Sequence, residues 1–367
     1  RVFCVFLGGE TTIPQALRAS SLYSGESVKE GVIPHVPSYK QWHRKPLLAC
    51  GAMHYCDRIR AINLNLANSY SIKNFFNKLR NGMIIMIKIG TCVKGEELLT
   101  ALPTVISAGF EAIEVYFDAG LKDIDLKELS QKAKEIVQDS NIEFSSIGIY
   151  VNPLQNEDQR KEVEKCIDNA KYFGAKVVST FAGAIENAPV FVSIPKFKDL
   201  FGELTKRAEA NGLKIGIENA HMNGFWYRAT CNIGFCPSAW ELMFDSVPSD
   251  ALGLTWEPSH QVEQFIDVNA QLEEWLPKIV HVHGKDGKID KPFVSKYGAW
   301  FGQHYCDHKF PGLGDSDWVK ILSVLSNKGY RGSLTIEGFH DPEFIGEREM
   351  EGQINAMNYL KKCRTQI

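Results

Sequence analysis

A (β/α)8 TIM barrel is the α/β fold that the sequence predicts for residues 86–367. From Ile87 onward, short apolar runs rich in β-branched and aromatic residues alternate with amphipathic helical segments, a pattern typical of parallel βα units. Eight such runs are present, and no GxGxxG motif follows the first of them. Eight repeats without that motif favour a closed barrel over an open doubly wound sheet.

The predicted strands are residues 87–90, 112–117, 144–150, 176–181, 214–218, 251–256, 279–283 and 333–337. The last helix between strands shows how the connecting segments are built. Polar residues 315–317 offer an N-cap, an apolar stripe runs from Trp318 to Leu325, and Gly329 ends the helix. Glycine is likewise predicted to end earlier helices, at Gly109, Gly174 and Gly212.

Residues 1–85 lack this alternation and mix Gly, Ser, Pro and His with isolated aromatic residues. Met83 and Met86 stand just before the first predicted strand, whereas residue 1 is arginine. We therefore interpret residues 1–85 as an N-terminal extension, non-native or disordered, ahead of a catalytic barrel domain at 86–367. The alternative is a genuine N-terminal cap that packs on the barrel.

Charge and composition exclude several classes of function. The 41 basic and 44 acidic residues give a formal net charge of −3, which provides no field to attract nucleic acid. No apolar run approaches the roughly 18 to 20 residues that span a bilayer, so no membrane partner is expected. The nine cysteines include no CxxC pair, and reduced thiols in a cytoplasmic protein are predicted.

Polar side chains end four successive predicted strands. Glu218 ends the fifth, Glu257 follows the sixth, His283 ends the seventh and Glu337 ends the eighth. The carboxyl ends of barrel strands carry the active site, so these side chains should converge at one mouth. Three carboxylates would repel one another without a cation. Their oxygens with one imidazole suit Mn²⁺, Co²⁺ or Mg²⁺, and suit Zn²⁺ less well.

Structural roles are the alternative for each residue taken alone, because a single glutamate at a strand end is most often a salt-bridge partner. Four such residues on successive strands argue against that alternative. His281 and His283 point to the same side of the seventh strand. We predict that His283, nearer the mouth, is the ligand and that His281 is packed below it. Glu114, in the second strand, is expected to orient a neighbour or to contact substrate.

These residues and their neighbouring motifs resemble the xylose-isomerase-like barrel superfamily. The motifs are GLTWEPSH at the sixth strand, HVHGKD at the seventh, and PGLGDSDW and GYRGSLTIEGFHDP near the end. The nearest resemblance is to sugar isomerases and epimerases of the ketose 3-epimerase type, over roughly residues 86–362. Glu257 is a departure, because the family usually has aspartate there.

The resemblance implies that Glu218, Glu257, His283 and Glu337 hold one divalent metal. Mn²⁺ is the expected ion, with Co²⁺, Mg²⁺ or Zn²⁺ as alternatives. Glu218 and Glu337 would also be the two catalytic acid–base groups. His260 would bind a substrate hydroxyl.

Further substrate contacts are predicted around the mouth. The basic residue that contacts substrate in the family is not at its usual spacing, and Lys285, Lys288, His308 and Lys309 are the alternatives. The loop after the fifth strand, HMNGFWYRATCNIGFCPSAW, contributes His221 and a set of aromatic residues. Trp226 in this loop either stacks on a sugar or aglycone or forms an oligomer contact.

The predicted activity is sugar isomerisation or epimerisation through a metal-stabilised enediolate. The main alternative is a lyase or dehydratase that uses the same site on a keto-sugar, a keto-cyclitol or an oxidised C-glycoside. A DNA-repair endonuclease would need additional histidines on the second and third strands, which are absent. A non-catalytic sugar-binding barrel would not need the paired glutamates. A carbohydrate substrate and a homodimer or homotetramer are expected.

Overall fold

A computed structural model describes residues 86–118, 120–338 and 340–367. Eight parallel strands close into a barrel, in the order β1-β10-β7-β6-β5-β4-β3-β2. These strands are β1 (Ile89–Lys94), β2 (Ala112–Phe117), β3 (Glu143–Ile149), β4 (Val177–Thr180), β5 (Lys214–Glu218), β6 (Leu252–Trp256), β7 (Ile279–Gly284) and β10 (Leu334–Ile336). The predicted barrel is confirmed. The interpretation of residues 1–85 lies outside the described residues and stays a hypothesis.

The first strand differs from its prediction. It was expected at residues 87–90, but β1 begins at Ile89 and runs through Gly90 to Lys94. Gly90 does not interrupt the strand, because its missing side chain lets β1 approach β2: a Cβ there would come within 2.3 Å of the carbonyl oxygen of Ala112. Gly90 thus allows β1 and β2 to pack closely without interrupting the strand.

Helices follow the barrel strands and cover the barrel from outside. Their bounds are Leu98–Ala108, Leu126–Val137, Glu157–Phe173, Val190–Ala210, Pro237–Ser246, Pro258–Glu263, Val268–Trp275, Lys291–Tyr297, Trp318–Asn327 and Glu349–Arg364. The predicted cap is present, since Asp317 accepts a hydrogen bond from the backbone N–H of Lys320. Gly109 and Gly174 end their helices in the left-handed conformation, as predicted. No helix within the described ranges is long and apolar enough to cross a membrane.

An excursion from the barrel follows β7 directly. Its two short strands, β8 (Asp286–Ile289) and β9 (Cys306–Lys309), pair antiparallel, and the helix Lys291–Tyr297 lies between them. No strand was predicted here, because four-residue strands with charged residues show no clear alternation. The result is that His308 and Lys309 have fixed positions on a strand.

Asp286 anchors this excursion to the barrel. Its buried carboxylate accepts hydrogen bonds from the backbone N–H groups of Gly287 (2.9 Å) and Ser316 (3.0 Å) and from Trp318 Nε1 (2.9 Å). Removing an acceptor that serves several buried donors leaves each of them unsatisfied. Asp286 therefore holds the PGLGDSDW segment against the start of β8, next to Lys285.

Candidate metal centre and active site

The barrel brings the four predicted metal ligands together at its carboxyl-terminal mouth. Glu218 ends β5, Glu257 directly follows β6, His283 lies in β7 and Glu337 directly follows β10. One donor atom from each of the four lies within 4.8 Å of the donors of the others, and all four residues are buried. Side chains far apart in sequence thus form one cluster, because parallel strands of a closed barrel end at the same rim.

The imidazole of His283 is the centre of this cluster. Its Nδ1 lies 2.8 Å from Glu218 Oε1, 3.1 Å from Glu337 Oε2 and 3.5 Å from Glu257 Oε2. Its Nε2 lies 3.2 Å from both carboxylate oxygens of Glu114. A metal ion bound at Nδ1 would require the ring proton to lie on Nε2, facing Glu114. A metal-binding histidine usually donates its other ring N–H to a carboxylate, and this hydrogen bond fixes the tautomer that binds the metal.

Backbone contacts hold Glu257 in place. The side chain of Asn219 accepts a hydrogen bond from the backbone N–H of Glu257 and donates one to its carbonyl, both at 2.7 Å. Ser259 donates a hydrogen bond to Glu257 Oε1. The longer side chain, where the family usually has aspartate, therefore still brings Oε2 to the cluster.

The donor set fits a divalent cation. Among the described residues, the buried oxygens Glu257 Oε2 and Glu337 Oε2 have no hydrogen-bond partner. Buried oxygens without partners carry a substantial free-energy penalty, which a coordinated cation would remove. Three carboxylates supply mainly hard oxygen donors, and with a single borderline imidazole nitrogen the set suits Mn²⁺ or Mg²⁺. Glu218, Glu257, His283 and Glu337 could therefore hold such an ion.

The glutamates of the cluster differ in how readily they are protonated. Burial raises the pKa of Glu218 to about 7, assisted by the negative charges of Glu337 and Glu257. Burial would also raise the pKa of Glu337, but the Lys285 ammonium and His283 hold it well below its ordinary value. Lys285 Nζ lies 2.8 Å from Glu337 Oε1 and 3.6 Å from Glu257 Oε1. In this metal-free cluster, the Glu218 carboxylate is thus the one more easily protonated, while the Glu337 carboxylate is kept ionised.

Lys285 is the basic residue that the structure places at this cluster. Lys309, predicted as an alternative substrate contact, instead forms ion pairs with Glu343 (2.9 Å) and Asp341 (3.7 Å). These ion pairs hold Lys309 on the hairpin strand β9, and its substrate contact stays a prediction. Lys288 is exposed and pairs with Asp315.

Glu114 lies in a polar layer below the metal cluster. Its carboxylate is fully buried and accepts hydrogen bonds from Tyr150 (2.6 Å) and Ser146. His281 Nε2 also contacts it at 2.9 Å. With both oxygens engaged and the side chain fully buried, the contacts of Glu114 favour the first of its two predicted roles, orienting His283. His281 is packed there, as predicted. Sequence reasoning missed Tyr150, although it directly follows β3 at the same rim.

A second group of side chains borders the metal cluster, and we call His221, His260, Glu263 and His308 the imidazole cluster. Glu263 Oε2 lies 2.6 Å from His221 Nε2 and 3.1 Å from His308 Nε2. Burial would raise the pKa of Glu263, but hydrogen bonds from His221 and His308, with the imidazole of His260 close by, hold it far below its ordinary value. The structure thus brings together three predicted substrate contacts. Glu263 was missed, although it stands three residues after His260 on one helix, a spacing that places both on one face.

Trp226 does not present its ring freely to the mouth. It is half-buried and packs against the hydrophobic core, and its carbonyl accepts a hydrogen bond from the backbone N–H of Val190. The exposed aromatic residues of this loop are its neighbours Phe225 and Tyr227. Core packing takes part of the ring, and both predicted roles of Trp226, stacking on a substrate and forming an oligomer contact, stay predictions.

Comparison with known proteins identifies the family to which this chain belongs. A family model described as xylose isomerase-like TIM barrel matches residues 103–363, and the chain belongs to this family. Inosose dehydratase of Clostridium perfringens (strain 13 / Type A) is 25% identical over 272 residues, which cover 70% of this chain and 86% of that protein. Inosose dehydratase of Serratia proteamaculans (strain 568) is 23% identical over 225 residues, which cover 56% of this chain and 72% of that protein.

A solved structure shows the same fold. The crystal structure of 3-keto-D-glucoside 4-epimerase from E. coli matches with a TM-score of 0.57 at 15% identity, covering 76% of this chain and 100% of that chain. At such low identity, the likeness concerns the barrel itself. The sequence relatives are dehydratases, whereas this structural neighbour is an epimerase.

Proposed function

We propose that the protein is a metal-dependent enzyme that removes the proton next to the carbonyl of a neutral, polyhydroxylated keto compound. The observation that carries this proposal is the convergence of Glu218, Glu257 and Glu337 on His283 Nδ1, with Lys285 beside them. We further propose that the reaction continues by loss of a hydroxyl group as water, a dehydration. The two dehydratase relatives favour this outcome over the isomerisation expected from the sequence.

The four residues Glu218, Glu257, His283 and Glu337 would hold one divalent cation, with Mn²⁺ as the first choice. When bound, such an ion acts as a Lewis acid that stabilises negative charge on a carbonyl oxygen. Glu114 supports this role from below, because it keeps the proton of His283 on Nε2 and away from the cluster.

Proton transfer is assigned to the two glutamates that differ in charge. Glu337 is held ionised by Lys285, the state that a general base requires. Glu218 is assigned the second proton-transfer role; in the metal-free cluster burial raises its pKa to about 7. In a dehydration it would donate a proton to the departing hydroxyl. In an epimerisation it would return it to carbon on the opposite face.

The charges around the mouth favour an uncharged substrate. Five carboxylates belong to the two clusters and the layer below: Glu114, Glu218, Glu257, Glu263 and Glu337. Lys285, the lysine in contact with them, is shared by Glu257 and Glu337. A bound divalent cation and Lys285 would offset only part of this charge, so a carboxylated or phosphorylated substrate would still face carboxylates in excess. A keto-cyclitol or a free keto-sugar would meet hydroxyl-binding groups such as His260.

Epimerisation is the second candidate, because the same two glutamates can serve it. The choice is tested by incubating the Mn²⁺-loaded protein in D₂O with an inosose, with a ketohexose, and with the corresponding fully reduced cyclitol as control. By NMR we expect loss of water from the inosose with formation of a vinylic carbon, and no reaction of the cyclitol. A deuterium-labelled epimer without water loss would replace the dehydratase proposal by the epimerase one. Absence of exchange from both keto substrates would contradict the proton abstraction.

The homo-oligomer and the cytoplasmic location expected from the sequence stay predictions. Size-exclusion chromatography with light scattering gives the first directly.

A further inference from the structure

A cavity of about 890 Å³ opens at the amino-terminal end of the barrel, opposite the metal cluster. Its lining comes from the starts of β3, β4, β5 and β7 and from the segment before β10. Lys214 and Glu218 share one face of β5, because side chains alternate along a strand. Lys214 therefore faces the barrel axis at the cavity, and Glu218 faces it at the other end. Small-molecule sites have volumes of roughly 300–1,000 Å³, and this cavity lies within that range.

The cavity reaches into the barrel as far as His281. This imidazole lines the cavity, although the residue is only 1% exposed. It lies two residues before His283, on the same face of β7. Glu114, whose Oε2 is 2.9 Å from His281 Nε2, stands between the two histidines. The polar layer thus separates the cavity from the metal cluster, and the two sites have no lining residue in common.

Basic side chains outnumber acidic ones in the cavity lining. The charged residues that line it are Lys176, Lys214, Lys328, Arg331, Glu143 and Glu273. Both glutamates already have a cationic partner. Glu143 forms an ion pair with Lys88, and Glu273 lies 3.6 Å from Lys328 Nζ. Neither carboxylate is therefore left to neutralise the remaining basic side chains.

The remaining cations are Lys176, Lys214 and Arg331, and none of them forms an ion pair with another described residue. The backbone N–H of Lys214 donates a hydrogen bond to the carbonyl of Lys176 at 2.9 Å, so two like charges stand on neighbouring strands. Three helices also end beside the cavity. Each helix end carries a negative charge of about one half, and together they offset about half of the three positive charges. A positive surplus remains, which favours an anionic ligand.

We propose that this cavity binds a phosphorylated small molecule, with the phosphate group at Lys176, Lys214 and Arg331 and the organic part inside the barrel. A guanidinium presents paired N–H donors to phosphate oxygens, and lysines add compact positive charges. A phosphate ion alone would leave most of the cavity unfilled, whereas Phe144 and Tyr330 in the lining offer apolar surface to an organic group. The proposal goes beyond the proposed function, because it concerns the opposite end of the barrel.

The test is titration calorimetry of the full chain, loaded with Mn²⁺ and freed of excess metal, at an ionic strength of about 0.15 M. The probes are adenosine monophosphate and ribose 5-phosphate, with inorganic phosphate as the small anion and with adenosine and ribose as uncharged counterparts. We expect saturable one-to-one binding of at least one ester, weaker binding of inorganic phosphate and no binding of adenosine or ribose. Absence of saturable binding by both esters overturns the proposal. Binding of an uncharged counterpart or of inorganic phosphate as tightly as the esters also overturns it.

Variants locate the bound ester. Lys176→Met and Lys214→Met should each raise its Kd by about 10- to 100-fold, the effect of losing one hydrogen bond to a charged group. Both lysines are exposed, so the variants should melt at the wild-type temperature. Lys362→Met is the matched control, because Lys362 is an exposed lysine of the last helix outside the cavity lining, and it should bind as wild type does.

Glu218→Gln changes the candidate metal cluster at the mouth and should leave the Kd of the ester unchanged. This result separates failure of the cavity proposal from failure of the proposed function. An unchanged Kd in both Lys176→Met and Lys214→Met would reject the assignment to the cavity. Loss of ester binding in Glu218→Gln would instead place the ester at the metal cluster and would also reject it.

Discussion

Glu337→Gln is expected to lower the rate of proton exchange from a keto substrate by about 10²- to 10⁴-fold, the range that a general base contributes. The amide keeps the size of the side chain but cannot accept a proton at neutral pH. It also removes the negative partner of Lys285, 2.8 Å away. The measurement is deuterium uptake from D₂O by NMR at saturating Mn²⁺, with bound metal determined on the same sample.

Saturating metal separates loss of the base from loss of the ion. Glu347→Gln is the control, because Glu347 is an exposed glutamate of the same terminal segment, and it should exchange at the wild-type rate. A Glu337→Gln protein that binds Mn²⁺ and exchanges as fast as wild type would remove Glu337 from the chemistry.

Lys285→Met is expected to have the largest effect on stability. The substitution leaves Glu257 and Glu337 buried without their ammonium partner, and breaking a buried ion pair from one side costs about 3–5 kcal/mol. The free energy of unfolding should fall by that amount in the metal-free protein, measured by urea denaturation. Saturating Mn²⁺ should reduce the loss, because a cation between the carboxylates takes over part of the neutralisation.

Lys288→Met provides the matched control three residues along the chain. Lys288 is exposed and pairs with Asp315 at 2.6 Å, and surface pairs contribute about 0–1 kcal/mol. Equal losses in the two variants would show that the buried contacts of Lys285 have no special weight.

Periodicity and strand ends made the barrel and the convergence of its four candidate metal ligands predictable from the sequence. A strand buried on both faces is a continuous apolar run, so a polar residue at its end stands out. Glu218, Glu257, His283 and Glu337 were found in this way. Their convergence then followed from barrel geometry alone, because all strands end at one rim.

The imidazole cluster and the polar layer could not be predicted in the same way. Glu263 meets His221 and His308 across 42 and 45 positions of sequence, through a loop and a hairpin whose paths the local pattern does not define. Glu114 was correctly placed on β2, but its full burial depends on Ser146 from β3 and on Tyr150 directly after β3. Such contacts are set by tertiary packing, which also buried part of Trp226.

The most direct test of the central claim is proton exchange before and after metal removal. The claim is that Glu218, Glu257, His283 and Glu337 hold a divalent ion on which proton abstraction depends. Deuterium uptake by an inosose is measured with the protein as purified, after stripping by a chelator, and after return of Mn²⁺ in increments. We predict that exchange disappears on stripping and returns fully at about one equivalent per chain, in line with a single set of metal-binding carboxylates. Undiminished exchange by the metal-free protein would contradict the account.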